Sequence, residues 1–172
     1  MVCNKAKECI TKSFNTSESI DCSSKIMCLE YRDVRKMAKC EENGMIYTID
    51  NRKLNCHISL FRIDDAMITG ADISKCDYLF TFEKNSINYA IFVELKGTDI
   101  THAMEQIFSA VQHLKICENQ TIRIYARIIH NGGVPNLFQT TPQYSKLYKV
   151  IQKTNGNIQL RRLSLVEKIE SI

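Results

Sequence analysis

The stretch Cys76-Asp77-Tyr78-Leu79-Phe80, followed by Ile91-Phe92-Val93-Glu94-Leu95-Lys96-Gly97, decides how this chain is read. Side chains alternate faces along a strand. Glu94 and Lys96 therefore project from one face, while Val93 and Leu95 point from the other. Residues 89–93 read as buried, which leaves two charges half-desolvated at the end of an apolar strand. Asn85-Ser86-Ile87-Asn88 has turn composition, so residues 77–83 and 89–96 are expected to pair as a hairpin. Asp77, 17 residues before Glu94, then begins the partner strand, and its carboxylate can approach that of Glu94.

Two convergent carboxylates beside an ammonium suit a hard divalent cation, Mg²⁺ or Mn²⁺. Such a cation polarises a phosphodiester and lowers the pKa of an attacking water. Lys96 is the candidate to orient or deprotonate that water and to stabilise the transition state. The backbone carbonyl of Leu95 is a further candidate ligand. The competing reading is an edge-strand ion pair, because a bare Glu-x-Lys is common. Three features favour chemistry: the Asp across the hairpin, the position at the end of an apolar strand, and the helix with a polar stripe that follows.

Working outward, Ser23 or Ser24 can cap a helix over residues 25–40. Met27, Tyr31, Val34 and Ala38 form its apolar stripe, and Asn43-Gly44 ends it. Strands are expected over 45–50 and 54–63, with a turn at Asp50-Asn51-Arg52-Lys53. After the hairpin, Gly97 breaks the pattern. Thr98 or Asp99 then caps a helix to about residue 115, with Ala103, Ile107, Val111 and Leu114 on its core face. Residues 121–130 read as a strand, Pro142 opens a helix to 153, and 157–163 is a last strand. The order α-β-β-β-β-α-β-α-β predicts an α/β domain, a mixed central sheet flanked by helices. Residues 1–24 are expected to be a polar arm or short helix, and 25–172 a single domain.

The composition is ordinary for a globular chain of 172 residues: 44% hydrophobic and 24% charged, with a net charge of +4. That balance permits a polyanionic partner without demanding one. No apolar run approaches a membrane span, and the first 20 residues lack the apolar core of a secretory signal. The expected setting is therefore the cytosol. The eight cysteines include no C-x-x-C pair and no Cys/His zinc spacing, and are expected to be reduced thiols. There is no Walker A loop, G-x-G-x-x-G or G-x-S-x-G.

Asp77, Glu94-Leu95-Lys96 and Gln106 on the next helix resemble the PD-(D/E)xK nuclease superfamily. The wider string from Arg62-Ile63-Asp64-Asp65 to Ala103-Met104-Glu105-Gln106-Ile107 is similar to a small bacterial or phage-associated branch of it. The resemblance spans about residues 25–163. It implies a restriction-endonuclease-like core, metal held by Asp77 and Glu94, Lys96 as catalytic lysine, and Gln106 contacting the active site or the substrate. It further implies hydrolysis of nucleic acid, DNA before RNA, a homodimer where paired cuts are made, and a defence or mobile-element setting. Two departures stand out. Cys76 occupies the place of the motif's Pro, and no first-helix acid is obvious. Glu30 is the leading candidate for that acid, with Asp33, Glu41 and Glu42 competing; a solvated role for Glu30 is the alternative. Asp64 is a candidate second-layer residue beside Asp65, or a turn residue.

His102, Gln106, Ser109 and His113 recur as one polar stripe, either a solvated face or a path from the metal site. Arg123 and Arg127 on a strand, Lys146, Lys149 and Lys153 on a helix, and Arg161-Arg162 could grip phosphates, or form an ordinary charged surface. The non-hydrolytic alternative is a weak or inactive nuclease-fold module binding nucleic acid or protein. A third expectation is a partner-activated RNA nuclease.

Overall fold

The computed structural model describes residues 1–20, 28–116 and 121–172. Its elements are α1 (Ala6–Ser13), β1 (Leu29–Asp33), β2 (Met37–Glu42), β3 (Met45–Asp50), β4 (Ile58–Arg62), β5 (Tyr78–Lys84), β6 (Ile87–Lys96), α2 (Ile100–Leu114), β7 (Ile122–His130), α3 (Pro142–Lys153), β8 (Ile158–Arg162) and β9 (Ser164–Lys168). Six strands form a mixed sheet in the order β1-β4-β5-β6-β7-β8, and β2-β3-β9 form a second, three-stranded sheet. β4, β5 and β6 are an antiparallel meander. β6, β7 and β8 are parallel, which requires the crossover helices α2 and α3.

Strand alternation divides the interior into two cores. Ala90 and Phe92 of β6, Leu79 of β5 and Ile124, Ala126 and Ile128 of β7 pack with α1, α2 and α3. Tyr89, Ile91, Val93 and Leu95, with Phe80 and Phe82, pack against Ala38, Cys40, Tyr47 and Ile49 of the small sheet. The molecule is thus three layers deep, with helices on one face of the large sheet and strands on the other. Glu94 and Lys96 belong to the helix-facing set by the same alternation.

One expectation is corrected here. The helix expected over 25–40 is, in its described part, β1 and β2 instead; residues 25–27 lie outside the described residues. Its 3.6-residue stripe competed with a period of two, and Met37–Glu42 buries only Ala38 and Cys40. Asn43 and Gly44 have φ of 50° and 76° and close the β2–β3 hairpin rather than ending a helix. Of the two readings of residues 1–24, a polar arm or a short helix, the described part holds the helix α1: Ala6, Cys9, Ile10 and Phe14 are buried in the helix-side core, and the Ser13 hydroxyl contacts that of Thr81 at 2.6 Å. β9 was not anticipated.

Elsewhere local chemistry holds. The Asp99 carboxylate accepts from the His102 N–H and caps α2. Thr141 caps α3, with Pro142 in its first turn. Cys3, Cys40, Cys56 and Cys76 are free thiols, while Cys22 and Cys117 lie outside the described residues. Among those residues, no helix is long and apolar enough to cross a membrane.

Candidate active site

Asp77 stands immediately before β5. The last register pair of the hairpin is Tyr78 with Val93, and one step beyond it the Leu95 N–H donates to Asp77 Oδ2 at 2.7 Å. The side chain thus continues the ladder where the backbone pairing stops. This fixes the carboxylate over the Glu94-Leu95 peptide. Burial pushes the Asp77 carboxyl up to about 6, with Glu42 and Asp64 adding repulsion; the Leu95 N–H and Lys96 act against this.

Glu94 is 2% exposed, and its Oε2 is buried with no hydrogen-bond partner. Burial first, then the neighbouring Asp77, pushes this carboxyl up to about 9, with Lys96 opposing. The Lys96 ammonium lies 4.0 Å from Glu94 Oε1, too far for a direct hydrogen bond. It donates instead to Gln106 Oε1 at 3.0 Å. Gln106 is oriented in turn, since its Nε2 donates to the Lys75 carbonyl at 2.9 Å. Helix α2 therefore holds Lys96 through a single amide, with the amide oxygen toward the ammonium.

The sequence-predicted set Asp77, Glu94, Lys96 and Gln106 is brought together, and Leu95 enters through its backbone. Asp64 borders the same space. A cavity of about 470 Å³ is lined by Glu42, Arg62, Asp64, Asp65, Asp77 and Tyr78. The Lys75 ammonium binds two of these lining acids, Asp65 at 2.9 Å and Asp64 at 3.2 Å, and the Gly70 carbonyl at 2.9 Å. Sequence reasoning did not single out Lys75. Its one mark was its place two residues before Asp77, and its role depends on a loop that doubles back from β4.

Glu30 does not lie on a first helix. It sits in β1 and faces Arg62 at 3.6 Å. The competitors Asp33 and Glu41 are taken up by Arg35 and Lys39, whereas Glu42 borders the cavity. Among the described residues, the one helix that precedes the meander, α1, carries Glu8, which pairs with Lys12 in solvent.

Among the basic candidates, Arg127 is corrected. It is 1% exposed and bound to Glu167 at 2.5 and 3.0 Å and to Asn157 at 2.8 Å, so it offers nothing to a phosphate. Arg123 is half-buried, 5.9 Å from the Tyr89 ring. Lys146, Lys149 and Lys153 are exposed on α3. Of the polar stripe, only Gln106 reaches Lys96; His102 lies 3.7 Å from Glu105.

The fit to a cation rests on Asp77 and Glu94. Among the described residues, no group of three or more His, Cys, Asp and Glu side chains could hold a metal by itself. Mg²⁺ is commonly bound by one or two carboxylates with waters and substrate phosphate completing its shell. Two acids held side by side, one with an orphaned buried oxygen, suit that role. No family model, curated protein or solved structure matches the chain.

Proposed function

We propose that this protein is a Mg²⁺- or Mn²⁺-dependent nuclease of the PD-(D/E)xK type, acting on nucleic acid, with DNA as the first expectation. The observation that carries the reading is the orphaned Oε2 of Glu94, buried beside the Asp77 carboxylate with a fixed lysine on its flank. A buried polar atom without a partner is rare and costly. A cation held by Asp77 and Glu94 would supply the missing partner and offset their mutual repulsion.

In this reading Asp77 and Glu94 hold the cation, with the Leu95 carbonyl as a candidate ligand. The chemistry it would supply is charge neutralisation at the phosphate and acidification of a water. Lys96 presents its ammonium next to the carboxylates, positioned by Gln106. There it can hold a proton near the attacking oxygen and stabilise negative charge building on phosphorus. Gln106 acts through Lys96 and is a positioning residue. Asp64 and Lys75 set the charge of the cavity mouth.

The test is cleavage of supercoiled plasmid, linear duplex, single-stranded DNA and structured RNA with Mg²⁺, Mn²⁺ or EDTA. Cutting should require the metal and fall on the order of a hundredfold or more in Glu94→Ala and in Lys96→Ala. Undiminished cutting by Lys96→Ala would sink the assignment. The two-carboxylate donor set also favours a second reading, a binding module with a weak site. It predicts no cutting but tight, salt-sensitive binding.

A further inference from the structure

The acidic cavity beside Asp77 has one cation in its lining. Among the described residues around that space of about 470 Å³, Arg62 stands against Glu42, Asp64, Asp65 and Asp77. Lys75 already holds Asp64 and Asp65. A polyanion that brings a phosphate to Asp77 through this cavity therefore meets Arg62 as the one positive side chain of the lining.

Strand pairing sets where the guanidinium stands. Arg62 is the register partner of Tyr78, so their Cβ atoms are neighbours across the β4–β5 pair. Alternation puts both on the face of Leu60 and Phe80, toward the small sheet. The two chains stay together past the ladder, since the Ile63 N–H donates to the Asp77 carbonyl at 2.8 Å. β4 and β6 flank β5, so Arg62 and Lys96 lie on opposite sides of Asp77.

The present partner of Arg62 is brought to it by an irregularity in the edge strand. Leu29 pairs with Phe61 and Tyr31 with Leu60, so Glu30 is an extra residue in β1. Leu29 packs on the helix-side core and Tyr31 on the other, although strict alternation would give them one face. A bulge of this kind re-aims a side chain, and here the Glu30 carboxylate faces Arg62. The contact is loose. Nε and Oε1 are 3.6 Å apart, and the two side chains are 48% and 41% exposed. That distance is beyond a hydrogen bond, and an exposed ion pair contributes little. A phosphate offers the same guanidinium two parallel charge-assisted bonds.

We propose that Arg62 is a phosphate anchor for a nucleic-acid backbone, seating the phosphate next to the one at Asp77 and Glu94, and that Glu30 occupies its guanidinium until that phosphate arrives. The anchor rests on nucleic acid being the substrate, not on its hydrolysis.

The experiment is fluorescence anisotropy of the full chain with a labelled DNA strand and with its duplex, in EDTA and again with Ca²⁺ in place of Mg²⁺. Arg62→Gln should weaken binding roughly tenfold or more, as loss of a charge-assisted contact does. It should also flatten the salt slope by one phosphate, about 0.7 for the strand or 0.9 for the duplex. Arg62→Lys should keep the slope and lose part of the affinity. Glu30→Gln should tighten binding roughly 1.5- to 5-fold, the worth of an exposed pair, and should give no gain once Arg62→Gln is also present. Both single variants should melt close to the parent; early melting with unchanged binding would make the pair structural and overturn the anchor. A gain from Glu30→Gln that persists beside Arg62→Gln is general charge repulsion and overturns the exchange. Affinity and slope unchanged in Arg62→Gln overturn the anchor and leave the nuclease reading standing. No binding of either DNA by the parent in either condition removes both. Anchored binding with no cutting under Mg²⁺ or Mn²⁺ keeps the anchor and removes the hydrolysis.

Discussion

Glu94→Gln removes one charge and changes almost nothing in shape, and it should make the metal-free protein more stable. The Glu94 carboxyl is held up to about 9 against an ordinary value of 4.5. Below 4.5 the folded and unfolded chains both carry the proton, and above 9 neither does. Between those values the unfolded chain has released a proton that the folded chain keeps. Stability therefore falls as pH rises through that window. Keeping the proton at pH 7.5, three pH units above the ordinary value, costs about 4 kcal/mol at about 1.4 kcal/mol per unit. A neutral amide avoids that cost but must place its own N–H donors, beside Asp77 and in a space where Oε2 had no partner. A net gain of about 1–2 kcal/mol is expected at pH 8, which for a domain of this size is a rise of about 2–8 °C in Tm. The assay is thermal unfolding followed by circular dichroism in EDTA, stepped from pH 5 to pH 8. At pH 5, where the avoided cost is below about 1 kcal/mol, the variant should be about 2–3 kcal/mol less stable than the parent, and the difference should turn into a gain as pH rises. With Mg²⁺ added, the parent should recover stability as binding to the folded state dictates, and the variant should respond less. A variant less stable than the parent at pH 8, or a gain that does not change with pH, would refute the account of Glu94 as a buried, unpaired acid.

Arg127→Met should destabilise by about 3–5 kcal/mol, because it strands Glu167 without its buried partner; urea titration measures this, and the salt slope of nucleic-acid binding should not move, as it would if Arg127 held a phosphate. Gln106→Ala should lower kcat with little change in KM, by removing the amide oxygen that accepts from the Lys96 ammonium, and should shift the basic limb of the pH–rate profile; an unchanged profile would remove Gln106 from the positioning role. Gly156→Ala should cost several kcal/mol or prevent folding, since its Cβ would stand 1.7 Å from the Ile124 carbonyl oxygen; a denaturation midpoint equal to the parent's would show that the β7–α3 junction is looser than described.

The parts of this structure legible in the sequence are those whose signals are local. β3, the β5–β6 hairpin, α2 and α3 each carry their own period and their own cap or turn, and they form where the pattern places them. From the hairpin count alone, Asp77 meets the Glu94-Leu95 peptide, because antiparallel register leaves no freedom once the turn is set. Lys96 and Gln106 follow from alternation in the strand and a polar stripe on the helix. The illegible parts depend on partners distant in sequence. β1 and β2 are short strands whose apolar residues also fit a helix, and only pairing with β4 and β3 decides between the two. β9 exists because β3 has a free edge 118 residues earlier in the register Ile46 with Ser164. Arg127 looks from the sequence like half of a basic strand face with Arg123. It becomes an internal ion pair because β9 returns Glu167 to that face, where Tyr47 also donates to it. The same long-range closure explains why Lys75 went unnoticed, since its partners Asp64 and Asp65 are ten or eleven residues back across a loop. Periodicity thus pointed to the residues of the candidate site, whereas tertiary pairing decided which cations remain outside it. With Arg127 held by Glu167 and Lys75 by Asp64 and Asp65, the exposed cations without an ion pair among the described residues of 119–166 are those on α3 and β8.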